Sequence, residues 1–225
     1  NWPGRTPGGP SRWFASAAND SSIRLWQVAT GRELPRLSGH AGYVKTIAFS
    51  QDSHFLASGS ISGEVKIWDM ASGHPAFSLP SGPNPKSIDI VAFSPDGRSL
   101  AAAGMQQTVE IWDLETKQAR TLTGHSDEIT SVVFSADGQL LASGGRDKTV
   151  RIWDLKTGVV ARTLDNLGAE IDSLALSPAG TLLAAANADK SVRLWEFATG
   201  MQLRTLTGHT GEALKVAFSP DGNLL

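Results

Sequence analysis

Serine, histidine and aspartate stand at fixed places ahead of recurring tryptophans in this chain, complete in one copy and partial in others. The fullest set is His125, Ser143, Asp147 and Trp153. Two chemistries fit such residues. A hydroxyl activated by an imidazole that a carboxylate orients is a hydrolytic nucleophile, provided it is exposed beside an oxyanion hole. Buried, the same groups form a hydrogen-bonded line: an indole N–H donates to the hydroxyl, the hydroxyl to a neutral imidazole, and the carboxylate completes it. The set recurs within a repeat and its serine lies inside a strand pattern, which favours the structural line. Partial sets accompany it. His40, Ser58 and Trp68 occur with Ser62 where the aspartate belongs, and Ser16, Asp20 and Trp26 lack an upstream histidine of their own. Asn84, Ala102 and Gln106 surround Trp112, and Leu167 and Ala185 leave only Asp189 with Trp195, so both lines are expected to be broken. No catalytic residue, metal-ligand set or cofactor is expected. His54 and His74 read as surface residues in turns.

The elements that position these groups follow from the tryptophans. Trp26, Trp68, Trp112, Trp153 and Trp195 lie 42, 44, 41 and 42 residues apart. Each follows an aliphatic–polar–aliphatic triplet such as Val150-Arg151-Ile152, whose period-two alternation and β-branching predict a strand. The polar members Arg24, Lys66, Arg151 and Arg193 read as stems laid along a sheet with charged heads in solvent. About nineteen residues earlier, another strand ends at Phe49, Phe93, Phe134 or Leu176, and Phe218 begins an unfinished copy. Ser94-Pro95-Asp96-Gly97, Ser135-Ala136-Asp137-Gly138 and Ser219-Pro220-Asp221-Gly222 carry turn chemistry before a third strand. A short fourth strand follows Thr30-Gly31, Ser72-Gly73, Thr157-Gly158 or Thr199-Gly200, with Lys117 in the glycine position of the third copy. Four short strands per copy, with no helical period, make one antiparallel sheet. A sheet apolar on both faces must be covered by its neighbours, and equal copies stacked face to face form an all-β propeller rather than a sandwich.

The dipeptides Trp68-Asp69, Trp112-Asp113 and Trp153-Asp154, with Gly39-His40, Gly124-His125 and Gly208-His209 upstream, resemble the WD40 repeat family, in its bacterial-type arrays. The resemblance spans 12–225, with departures at Trp26-Gln27 and Trp195-Glu196. Copies are expected at 12–37, 38–79, 80–122, 123–164 and 165–206, with 207–225 partial. Residues 1–11 read as a linker or fragment edge, since six of the first ten are Gly or Pro. The start at Asn1 and the stop at Leu225 inside a copy read as cuts. Phe14 and Leu225 share a repeat position 211 residues apart, five periods of about 42. Two arrangements stay open. A five-bladed ring closes between the ends, with His209 completing a line to Ser16, Asp20 and Trp26; or the copies are an arc of a larger ring, usually seven-bladed in proteins that resemble this one.

Composition narrows the function. The chain is 40% hydrophobic and 19% charged with net charge -2, which excludes disorder and argues against general nucleic-acid or membrane binding. No apolar run approaches the ~18–20 residues of a membrane span. The absence of cysteine removes thiol chemistry and disulfides, and it is compatible with a reducing, cytoplasmic setting. In propellers that resemble this one, partners dock where loops enter the innermost strand and join the second and third strands. The aligned residues are Tyr43 and Lys45, Ser87 and Asp89, Glu128 and Thr130, Glu170 and Asp172, then Glu212 and Leu214. Those of the second loop are Asn19, Ile61, Met105, Arg146 and Ala188. Tyr43, Ile61 and Met105 form an apolar sector, and Asp89, Glu128, Glu170, Asp172 and Glu212 an acidic rim. The expectation is a non-catalytic scaffold binding a protein or extended peptide with one apolar anchor flanked by Lys or Arg. The alternative is a C-terminal ligand-sensing or regulatory repeat domain of a multidomain signalling protein, whose partners are NTPase or kinase domains of its own chain. A propeller enzyme is the remote third.

Overall fold

The computed structural model describes residues 13–80, 85–165 and 167–225; the linker reading of 1–11 and the place of Asn84 lie outside them. The described residues contain 19 strands and no helix. Sheet one holds β1 (Trp13–Ala17), β2 (Ser22–Gln27) and the two-residue β3 (Leu37–Ser38). Sheet two holds β4 (Val44–Phe49), β5 (Phe55–Ser60), β6 (Val65–Asp69) and β7 (His74–Leu79). Sheet three follows with β8 (Ile88–Phe93), β9 (Ser99–Gly104), β10 (Thr108–Asp113) and β11 (Ala119–Thr123). Sheet four holds β12 (Ile129–Phe134), β13 (Leu140–Gly145), β14 (Val150–Asp154) and β15 (Val160–Leu164). Sheet five holds β16 (Ile171–Leu176), β17 (Leu182–Asn187), β18 (Val192–Glu196) and β19 (Gln202–Leu206). Every pairing is antiparallel between sequence neighbours, the β-propeller blade pattern. His74 opens β7 rather than lying in a turn, and stays exposed.

The turn residues act as their chemistry requires. Ser94 Oγ donates to Asp96 Oδ1 at 2.6 Å, the same carboxylate accepts from Arg98 N at 3.0 Å, and Gly97 takes a φ of 69°. Ser50-Gln51-Asp52-Ser53 builds the same turn with Ser53 at φ 58°. Lys117 likewise adopts φ 59° without being glycine. That conformation costs about 1–2 kcal/mol for an L-residue. The Lys117 ammonium lies 4.8 Å from the centroid of the Phe77 ring on sheet two, a cation–π contact of about 0.5–1 kcal/mol that offsets part of the strain.

The core lies between the sheets. One apolar cluster fills each seam: Leu25, Leu56 and Trp68 between sheets one and two; Ile67, Val91 and Trp112 between two and three. Ile111, Phe134 and Trp153 fill the third seam, and Ile152, Leu174 and Trp195 the fourth. The second strands β5, β9, β13 and β17 are buried over their last five residues, where Ala, Ser and Gly predominate after one Leu. A Cβ on Gly59 would stand 2.4 Å from the Ile88 Cγ2 of the next sheet, and one on Gly144 2.8 Å from that of Ile171. The innermost strands β4, β8, β12 and β16 pack in succession, and β1, the equivalent of a second strand, packs on β4. A hydroxyl on the third residue of one inner strand accepts from a backbone N–H of the next: Thr46 from Val91 at 3.3 Å, Ser131 from Leu174 at 2.9 Å.

Among the described residues the two ends do not pair. Segment 213–218 follows sheet five, held by Ala213 N to Asn187 O at 3.3 Å and Val216 N to Ser173 Oγ at 3.5 Å, but forms no strand. Among the described residues no hydrogen bond links it to β1, and Phe14 turns to Trp26, with ring centroids 5.5 Å apart. Among the described residues the local ties to sheet five are made and a pairing of this segment with β1 is not.

Candidate interaction face and the buried polar lines

In sheet four the polar line is complete. Trp153 Nε1 donates to Ser143 Oγ at 2.7 Å, Ser143 Oγ lies 2.7 Å from His125 Nε2, and His125 Nδ1 lies 2.7 Å from Asp147 Oδ2. With the carboxylate accepting from Nδ1–H, the Ser143 hydroxyl donates to Nε2. Ser143 is 0% exposed, so its hydroxyl is out of reach of any substrate. Burial lowers the His125 pKa despite Asp147 alongside, keeping the ring neutral. Burial pushes Asp147 the other way, but the imidazole and hydrogen bonds from His125, Thr149 and Ser126 N outweigh it, and the carboxyl stays below its usual range.

Sheet two builds the same line with a different acid. Trp68 Nε1 donates to Ser58 Oγ at 2.8 Å, and Ser58 Oγ lies 2.6 Å from His40 Nε2. Ser62 does not take the aspartate's part. Glu64, two residues on, reaches back to His40 Nδ1 at 3.3 Å and to Ala41 N at 2.9 Å. A longer side chain from a more distant position replaces a short one, a signal present in the sequence as the acid at the place of Thr149. In sheet three Trp112 Nε1 turns to Glu110 Oε2 at 3.3 Å, and burial raises the Glu110 pKa. Sheet five fills the histidine and serine places with buried Leu167 and Ala185, while Asp189 pairs with Arg193 at 2.6 Å. In sheet one Asp20 accepts from Ser22 and faces Arg24 at 3.8 Å. The expected line from His209 to Ser16, Asp20 and Trp26 is not formed: His209 is exposed, because the ends that would bring it there stay apart.

The two loop sets meet at one end of each of sheets two to five. Ile61 N donates to Tyr43 O, Met105 N to Ser87 O, Arg146 N to Glu128 O and Ala188 N to Glu170 O, at 2.9–3.2 Å. A bulge opens each inner strand there, with register shifts at Val44/Thr46, Ile88/Ile90, Ile129/Ser131 and Ile171/Ser173. The extra residues are Lys45, Asp89, Thr130 and Asp172, and a bulge re-aims its side chain out of the strand's alternation. Lys45 Nζ lies 3.3 Å from Asp89 Oδ1, and Thr130 Oγ1 donates to Ile171 O, so bulged residues reach the neighbouring sheet.

Tyr43, Ile61 and Met105 are 50%, 48% and 53% exposed on this end. The acidic rim is less uniform than its residue types imply. Arg146 contacts Glu128 at 3.0 Å and Glu170 at 3.3 Å, and Lys45 covers Asp89, leaving Asp172 and Glu212 without a basic partner in hydrogen-bond reach. Burial raises the Asp172 pKa, helped by Glu212 and Glu170, and its Oδ2 is buried with no hydrogen-bond partner. Asn19 is exposed at the corresponding end of sheet one. Among the described residues no cluster of His, Asp and Glu is arranged to hold a metal ion.

Comparison with known proteins agrees with this architecture. Mitochondrial division protein 1 of Neurospora crassa is 37% identical over 65 residues, 29% of this chain and 10% of that protein. Small ribosomal subunit protein RACK1 of Glycine max is 37% identical over 73 residues, 30% of this chain and 22% of that protein. Target of rapamycin complex subunit wat1 of Schizosaccharomyces pombe is 38% identical over 63 residues, 27% of this chain and 20% of that protein. The matched part thus spans 10–22% of these relatives' own length. The family described as WD domain, G-beta repeat matches at 31–69, 78–113, 116–154, 160–196 and 200–225, so the chain belongs to the WD40-repeat family.

Proposed function

We propose that the chain is a non-catalytic interaction scaffold whose loop end takes an extended peptide or protein loop. An apolar anchor of the partner packs on Tyr43, Ile61 and Met105, and a Lys or Arg of the partner pairs with Asp172 and Glu212. The observation that carries the reading is three half-exposed apolar side chains on loops that backbone hydrogen bonds fix to the sheet ends. Rigid loops cost little ordering entropy on binding. The names of two relatives, a ribosomal subunit protein and a complex subunit, support the scaffold reading. The test compares wild type with Tyr43→Ala/Glu212→Lys in cross-linking and pull-down from the source cell. Both residues are exposed, so melting is expected to be unchanged while captured partners are lost. An identical set of captured proteins rejects the face.

A further inference from the structure

At the opposite end of the sheets, where the Ser94–Gly97 and Ser135–Gly138 turns lie, the seam between sheets three and four differs from its neighbours. Arg120 and Arg162 are equivalent: Arg120 pairs with Ile111 in β11–β10, and Arg162 with Ile152 in β15–β14. Arg162 Nη1 crosses its seam and donates to Phe197 O at 3.2 Å. The corresponding carbonyl on sheet four is that of Leu155, which Arg120 does not reach. The inner tie is missing too, because Ile90 stands where Thr46 and Ser131 supply hydroxyls. Of the seams joining sheets two to five, this one has neither tie.

The seam holds a cleft of about 520 Å³ floored by Ile111, Phe134 and Leu140, with Arg120 on one wall and Lys156 on the other. A second cavity of about 380 Å³ continues past Arg120, sharing Ser99 and Ile111. Among the described residues neither the Arg120 guanidinium nor the Lys156 ammonium makes a hydrogen bond or ion pair. The wall carboxylates accept from backbone N–H groups of their own turns, Asp96 from Arg98 at 3.0 Å, Asp113 from Thr116 at 2.7 Å, and Asp154 from Lys156 and Thr157 at 2.8 Å. The cleft therefore offers two exposed cations that no carboxylate pairs among the described residues, set above the mostly buried Ile111 and Phe134.

We propose that this cleft binds an extended peptide segment in which a Glu or Asp lies beside Leu or Ile, the carboxylate pairing with Arg120 and the aliphatic side chain covering Ile111 and Phe134. A segment that runs on in both directions fits, because cavity lies on both sides of the arginine. Guanidinium and carboxylate pair through two parallel hydrogen bonds, a geometry amides do not match.

The probe is the end-blocked peptide acetyl-Gly-Leu-Glu-Leu-Gly-amide, titrated into the protein and followed by backbone amide NMR. Shifts are expected at Ala119, Gln139 and Lys156 and not at Tyr43 or Met105. Replacing the peptide Glu by Gln, or Arg120→Gln in the protein, is expected to weaken binding about tenfold, with both together no worse than either. Lys156→Gln weakens it less. Tyr43→Ala/Glu212→Lys leaves it intact, which separates this cleft from the loop end. Absence of shifts at millimolar peptide, or equal binding by Arg120→Gln of wild-type melting temperature, overturns the proposal.

Discussion

Ser143→Ala tests the buried line with little else disturbed. The substitution removes one oxygen from β13, and alanine already occupies the equivalent places in sheets three and five, where Ala102 and Ala185 are 0% exposed. Backbone and volume are therefore compatible, and the effect is that of two orphaned groups. Trp153 N–H and His125 Nε2 lose their partner where water does not reach. Each unsatisfied buried group costs about 1–3 kcal/mol, so the two give a loss of about 2–6 kcal/mol. For a domain of this size each kcal/mol is worth about 2–4 °C, so the midpoint drops by about 4–24 °C. Urea unfolding followed by tryptophan fluorescence measures the loss, with an unchanged slope showing that the folded state is otherwise intact. Adding His125→Leu copies the Leu167–Ala185 arrangement of sheet five and removes the orphaned imidazole. The double variant is expected to recover part of the loss, because the imidazole is no longer stranded while the Trp153 N–H stays unpaired and Asp147 keeps its bonds from Thr149 and Ser126 N. A single-variant loss within about 0.5 kcal/mol, or a double variant no better than the single, refutes the reasoning.

Other outcomes follow from the same geometry. Ser62→Asp/Glu64→Thr transplants the sheet-four acid into sheet two and is expected to keep wild-type stability, whereas Ser62→Ala/Glu64→Ala loses about 1 kcal/mol by denaturant titration. His40 and His125 have folded pKa values below the ordinary 6.5, so the unfolded chain binds more protons under that pH. Stability is then full above about pH 6.5 and falls as pH is lowered through the window beneath it, a slope that His125→Leu/Ser143→Ala should reduce in melts from pH 7.5 to 5. Glu110 has the opposite sign. Its raised folded pKa favours the protonated form, so its contribution is present at low pH and lost as the group ionises. Glu110→Gln should therefore melt above wild type at pH 7 and match it near pH 4.

Much of this fold is legible in the sequence because each signal is local. The Val-x-Ile-Trp strands, the Ser-x-Asp-Gly turns and the small residues of β5, β9, β13 and β17 state their own geometry. The sheet-four line is legible for the same reason, its four residues lying at the places the copy fixes. What escapes the sequence depends on reach across space. Glu64 acts for Ser62 because its side chain is longer, and position alone does not show it. Arg146 pairs with both Glu128 and Glu170 and Lys45 with Asp89, so three of the five rim acids have a basic partner that residue type alone does not reveal. The bulges at Lys45, Asp89, Thr130 and Asp172 appear only in the pairing register. Closure of the ends is the least local feature of all. Periodicity permits it, yet pairing Phe218 with Phe14 requires a contact across nearly the whole chain with a large loop-closure entropy.

The inner-strand bulge separates two demands that usually compete. A residue held in register must suit its cross-strand partner and the face it covers, so changing it disturbs the sheet. The out-of-register residue answers to neither, and Lys, Asp and Thr occupy it in one molecule without altering the strands that follow. Each of sheets two to five thus carries one position where the side chain is exchanged while the strand pattern around it stays the same.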